Sequence, residues 1–102
     1  MTVLKEMLKE EKERLIKMEK FYMDKILELP SGSIVLKKRG NKKYPYLVYR
    51  TGGKINTDYL KLNSEELKEL KLKIKKRRKY LKILKEIKKD LKVFGSIRNE
   101  QY

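Results

Sequence analysis

The chain has 102 residues and a net charge of +15, from 29 Lys and Arg against 14 Asp and Glu; 42% of its residues are charged and 39% hydrophobic. Cysteine and histidine are both absent, which removes disulfides, thiolate nucleophiles, Cys/His metal sites and the commonest general base together. A non-enzymatic protein with no cofactor and no metal is therefore expected, built as a single domain, 1–102, with a small core. So much charge suits long, exposed helices and an elongated shape.

Uncharged runs are only a few residues long, too short to span a bilayer, and charge alternates too early in the chain for a signal peptide. The expectation is a cytoplasmic protein with no membrane partner. The positive excess predicts attraction to polyanions, either nucleic acid or an acidic protein or ribonucleoprotein surface. It is unevenly placed. Residues 1–29 carry 7 basic and 7 acidic groups, residues 30–62 carry 8 and 1, residues 63–94 carry 13 and 5, and the tail 95–102 carries 1 and 1.

From about Thr2 to Leu29 the apolar residues Leu4, Leu8, Leu15, Met18, Tyr22, Ile26 and Leu29 recur at helical spacing, interrupted at Glu10-Glu11-Lys12-Glu13. Pro30 ends the helix and Ser31-Gly32 supplies a turn. Three strand-like runs follow, near Ser33 to Lys38, Lys43 to Arg50 and Lys54 to Leu60, separated by Gly40-Asn41 and Gly52-Gly53.

Two-residue turns at both points place Val35 opposite Tyr46 and Tyr46 opposite Tyr59. One face then gathers Val35, Lys37, Tyr44, Tyr46, Val48, Arg50, Ile55, Thr57 and Tyr59. The other gathers Ile34, Leu36, Lys38, Lys43, Leu47, Tyr49, Asn56, Asp58 and Leu60. A slip of one residue in either turn would exchange these sets locally. Pro45 should interrupt pairing on one side.

Asn63-Ser64-Glu65-Glu66 reads as the start of a second helix, with Asn63 as its N-cap and Glu66 as the reciprocal partner. Its apolar seam is Leu67, Leu70, Ile74, Leu81, Leu84, Leu91 and Phe94, with Arg77 and Lys88 in two seam positions, and Gly95 is placed to cap its end before a flexible tail, 95–102. The expected fold class is α+β: a long, coiled-coil-like antiparallel helical hairpin, helices 1–29 and 63–94, with a three-stranded antiparallel β-meander, 33–60, inserted between them. In that hairpin Glu10, Glu11 and Glu13 would fall within about a turn of Arg77 to Lys82. Two amphipathic helices also leave apolar surface over, which allows a homodimer of four-helix type.

Two features could carry function. Lys71, Lys75, Arg78, Lys82, Lys85, Lys89 and Lys92 alternate spacings of four and three, forming a ridge about 30 Å long that suits a phosphate backbone. They equally suit a solvated face in a lysine-rich chain. In the sheet, Lys37, Lys38, Arg39, Lys42, Lys43, Arg50 and Lys54 surround Tyr44, Tyr46, Tyr49 and Tyr59. Cations hold phosphates while rings stack on bases or sugars, although tyrosines are also ordinary strand formers. Neither Gly52-Gly53 nor the lone acid Asp58 forms a phosphate loop or an acid-base pair.

The segment Leu29-Pro30-Ser31-Gly32-Ser33-Ile34, with Tyr44-Pro45-Tyr46-Leu47-Val48-Tyr49-Arg50, Gly52-Gly53-Lys54 and Tyr59, resembles a family of small uncharacterised bacterial and mobile-element proteins. Pro45 departs from the aromatic often found there. The resemblance implies a helix, a tyrosine-rich meander and a basic helix, with a link to phages and mobile elements but no activity. The sheet is also similar, as fold analogy, to the arm-type DNA-binding domains of integrases.

The expected function is a mainly electrostatic nucleic-acid-binding protein, for DNA or RNA, acting through Lys37, Lys38, Arg39, Lys42, Lys43, Tyr44, Tyr46, Arg50 and Lys54 of the sheet and Lys71, Lys75, Arg78, Lys82, Lys85 and Lys89 of the second helix. The alternative is a phage or mobile-element inhibitor or adaptor, of anti-CRISPR type, that docks on a host nuclease or CRISPR effector.

Overall fold

A computed structural model describes residues 2–99, with side chains to residue 95. The protein is α+β: helix α1 (Thr2–Glu28), strands β1 (Ser33–Arg39), β2 (Lys42–Thr51) and β3 (Lys54–Tyr59), and helix α2 (Ser64–Asn99). The strands form one antiparallel sheet in the order β1-β2-β3. Two compact units result: α1 with the α2 segment from Arg78 onward, and Leu29–Arg77, which holds the sheet and the start of α2.

In the sheet unit the register follows from the turns. Val35 pairs with Tyr46, which pairs with Tyr59, and Arg39 with Lys42 and Thr51 with Lys54 close the two hairpins. Both Gly52 and Gly53 have positive φ, 56° and 83°, as a hairpin turn with two left-handed residues demands. Pro45 faces Leu36 in the β1–β2 ladder, while its carbonyl accepts the Leu60 N–H at 3.0 Å on the β3 side. A strand residue points its N and C=O the same way, so the donor that proline lacks is also missing on the β3 side. Pairing between β2 and β3 accordingly stops at Tyr46 opposite Tyr59.

Gly32 fixes how the chain enters the sheet. Its φ is 113°, and a Cβ built there would lie 2.7 Å from the Val48 carbonyl oxygen and just over 3 Å from the side chains of Leu47 and Tyr49. Only glycine allows this approach. After β3 the capping box forms as its residues imply: Asn63 Oδ1 accepts the Glu66 N–H at 2.8 Å, and the Asn63 N–H donates to Glu66 Oε1 at 3.1 Å. Two otherwise orphaned donors at the start of α2 are thereby satisfied.

In the helical unit the buried residues are Leu15 and Ile26 on α1 and Leu84 and Ile87 on α2; Ile74, in the sheet unit, is the other buried apolar residue among those described. On α2 the shielded positions from Ile74 to Phe94 are Ile74, Arg77, Tyr80, Ile83, Leu84, Ile87, Leu91 and Phe94. Leu81 and Lys88, expected in this seam, are exposed, and Tyr80 and Ile87 replace them. Steps of three and four both keep to one helical stripe, so spacing alone allows either residue at each point, although Ile87 is the apolar one of the second pair. The bulk of Tyr80 decides the first, because its ring packs against that of Tyr22, centroids 5.2 Å apart.

That ring contact also corrects the expected level of the two helices. Tyr80 meets Tyr22, whereas Glu11 lies roughly 16 Å away along α1 at 1.5 Å per residue. The interruption in the α1 stripe is met within α1 itself. Arg14 Nε donates to Glu11 Oε2 at 3.0 Å, and a second Arg14 nitrogen reaches Oε1. This bond holds the Glu11 carboxyl below its ordinary pKa and raises that of Arg14. At the other end, Gly95 does not cap α2, which stays helical to Asn99, and Gly95 is not in the left-handed conformation. The expected tail 95–102 is thus helical as far as Asn99, and its residues 100–102 lie outside the described residues.

Candidate functional site

Directly opposed residues in an antiparallel pair share a face, so the register sorts every candidate in the sheet. One face carries Lys37, Arg39, Lys42, Tyr44, Tyr46, Arg50 and Tyr59, with Val35, Val48, Ile55 and Thr57. The opposite face carries Lys38, Lys43 and Lys54 with Tyr49 and Asp58. The seven basic residues of the sheet are therefore divided four to three, with Lys37 and Arg50 on one face and Lys38 and Lys43 on the other as the two-residue turns imply. The acid Asp58 is on the side with fewer cations.

The first face holds a continuous aromatic strip. Tyr59 lies between Tyr46, centroids 5.5 Å apart at 56°, and Tyr44, centroids 6.1 Å apart at 72°. The approach of Tyr46 and Tyr59 follows from the position of Pro45. Because position 45 directs its main-chain groups toward β3, position 46 directs them toward β1, making Tyr46 and Tyr59 a non-hydrogen-bonded pair. The Cα atoms of such pairs come to about 4.5 Å. Lys37 lies on the other side of Tyr46, with Nζ 5.0 Å from the ring centroid, a distance at which the cation is attracted to the ring face.

Accessibility follows the same pattern. Tyr59 is 52% exposed and Ile55 64% exposed, Tyr44, Tyr46 and Lys37 are half-buried, and Arg39, Lys42 and Arg50 are exposed. No strand residue is buried. Tyr59, absent from the residues expected to bind, is thus the most accessible ring of the strip and its centre. Its position opposite Tyr46 was the signal that could have included it.

The opposite face is chemically different. The Tyr49 hydroxyl donates to Asp58 Oδ2 at 2.7 Å, and this bond to the carboxylate raises the phenol above its ordinary pKa. Gly32 brings the incoming chain against Leu47 and Tyr49 on this side. Lys38, Lys43 and Lys54 are exposed at its edges.

On α2, Lys71 and Lys75 belong to the sheet unit and Arg78, Lys82, Lys85 and Lys89 to the helical unit, and all are exposed. Within the helical unit, Lys85, Lys88, Lys89 and Lys92 rim a shallow groove of about 460 Å³ whose apolar lining is Leu81 and Leu84. Lys89 also approaches Glu86 Oε1 at 3.5 Å. Among the described residues no cluster of metal-ligating side chains occurs and no helix is long and apolar enough to cross a membrane.

These features define a small α+β protein whose three-stranded sheet presents a positively charged, tyrosine-bearing face. Residues 8–69 match the domain of unknown function DUF6788, and the chain belongs to that family. The match takes in most of α1, the whole sheet and the first turns of α2, and leaves the lysines from Lys71 onward outside it. No curated protein and no solved structure matches the chain.

Proposed function

We propose that the protein is a non-enzymatic nucleic-acid-binding protein that makes its contact through the face bearing Tyr44, Tyr46 and Tyr59. One observation carries this reading: that face combines three adjoining rings with Lys37, Arg39, Lys42 and Arg50 and holds no acid. Phosphates meet cations there without a repelling carboxylate, and the rings offer stacking surface. The exposed lysines of α2 add sequence-independent attraction. Pairing of the helices as an antiparallel, coiled-coil-like hairpin goes with this reading, supported by the Tyr22–Tyr80 contact and the three-and-four spacing of shielded positions.

The test is a mobility shift at low salt with duplex DNA, single-stranded DNA and structured RNA. Binding by the native chain that weakens when Lys37, Arg39, Lys42 and Arg50 are changed to Gln supports the proposal. Absence of binding to all three ends it.

A second reading, a phage or mobile-element adaptor or inhibitor that docks on a protein, is favoured by a different observation. Ile16, Met23 and Leu27 on α1 are large, apolar and exposed, and their spacings of seven and four put them on one side of the helix. Such a row suits a protein partner or a second copy of the chain. Pull-down from a lysate with and without nuclease separates the readings, because a protein docker keeps its partner after digestion.

A further inference from the structure

We infer that the ligand of the tyrosine face is a single-stranded nucleic acid with unstacked bases rather than a duplex. The inference rests on the nucleic-acid reading above and narrows it. A duplex offers a protein its phosphates and the base edges in its grooves, read by hydrogen-bonding side chains such as Arg, Lys, Asn and Gln, while the faces of the bases stay hidden in the stack. An aromatic ring has little to stack on in such a partner. Single strands offer those faces, and proteins that take them combine aromatic platforms with cations that follow the backbone.

The face is built in this way. Its centre is the strip Tyr44, Tyr59 and Tyr46, with Val35 and Ile55 as exposed apolar neighbours on the same side. Its cations surround the strip: Arg39 and Lys42 face each other beside the first turn, Arg50 lies near the second, and Lys37 lies over Tyr46 between them. Along β2, Lys42 and Arg50 are roughly 27 Å apart at about 3.4 Å per residue, a span with room for several nucleotides. The rings already adjoin one another without a ligand, Tyr44 and Tyr46 each meeting Tyr59 edgewise or obliquely, and Lys37 sits over Tyr46. A platform already ordered loses little entropy on binding. Asp58, the carboxylate that would repel a backbone, is on the other face and accepts the Tyr49 hydroxyl.

The experiment compares the native chain's affinity for labelled oligo-dT, oligo-U and a DNA duplex, each about twelve units long, within the usual footprint of such surfaces. Both a DNA and an RNA single strand are included because the stacking chemistry is shared, and the tighter of the two identifies the natural sugar. The expected result is single-strand binding at least about tenfold tighter than duplex binding at equal salt, with roughly tenfold loss for Tyr59→Leu and for Tyr46→Leu. Tyr59→Phe, which keeps the ring and removes the hydroxyl, should stay within about twofold of the native chain. If the Leu variants lose the sheet by circular dichroism, tyrosine fluorescence of the native chain decides: single strand quenches it and duplex does not.

Duplex binding as tight as single-strand binding overturns the inference, as do folded Leu variants that bind normally. So does poly-glutamate that displaces the oligonucleotide, since charge alone would then explain the contact. Failure of every nucleic acid to bind overturns the functional proposal itself.

Discussion

The division of the sheet into two unlike faces leads to a quantitative salt experiment. Each phosphate neutralised on a single strand steepens the dependence of log affinity on log salt by about 0.7. The tyrosine face offers Lys37, Arg39, Lys42 and Arg50, so full engagement contributes a slope of about −2.8, or roughly a 50-fold loss of affinity between about 50 and 200 mM salt. Changing these four to Gln should flatten the slope by about that amount. Changing Lys38, Lys43 and Lys54 on the other face should flatten it by less than about one unit, because Asp58 lies among them and their side faces away. The assay is fluorescence anisotropy of a labelled oligonucleotide across that salt range, with each variant checked by circular dichroism. Equal flattening by the two sets of substitutions would refute the assignment of a binding face, since both sides would then be reading the backbone alike.

Three further outcomes concern stability. Gly32→Ala should lower stability by about 2–4 kcal/mol in a urea titration, through the positive φ and the collision of Cβ with the Val48 carbonyl; an unchanged midpoint would mean that the chain enters the sheet by another path. Ile87→Ala should lower it by about 2–5 kcal/mol and Leu81→Ala by well under half of that, because Ile87 is 4% exposed and Leu81 40%; the reverse order would restore the seam through Leu81 and Lys88. The third concerns pH. The raised pKa of Tyr49 means that its bond to Asp58 contributes fully below the ordinary tyrosine value near 10 and is lost as pH rises through the raised value. The stability advantage of the native chain over Tyr49→Phe should therefore be constant at neutral pH and vanish in strong alkali, and a difference independent of pH would exclude the bond to Asp58 as its source.

Much of the sheet was legible from Gly40-Asn41 and Gly52-Gly53 alone. A two-residue turn fixes which residues oppose one another, and strand alternation then assigns every side chain to a face. Val35, Tyr46 and Tyr59 accordingly fall on one row as the sequence implies. Pro45 ends the β3 ladder, and Asn63 with Glu66 opens α2, for equally local reasons. The bond between Tyr49 and Asp58, residues on neighbouring strands, could be placed on the right face but not deduced, since it depends on how two side chains meet in space.

Turns, caps, strand register and the concentration of positive charge after residue 29 are local features, legible in the order of the residues alone. Packing between distant parts of the chain shields Tyr80 and Ile87 in place of Leu81 and Lys88, and it brings Tyr80 to Tyr22 rather than to Glu10–Glu13. Helical spacing alone leaves steps of three and four equivalent: the ring of Tyr22, from a distant part of the chain, meets Tyr80 rather than Leu81, and the apolar Ile87 is buried rather than Lys88. The same holds for Gly32. Its sequence neighbours announce a turn, but the need for glycine comes from the carbonyl of Val48, which folding brings to within 2.7 Å of where a Cβ would stand.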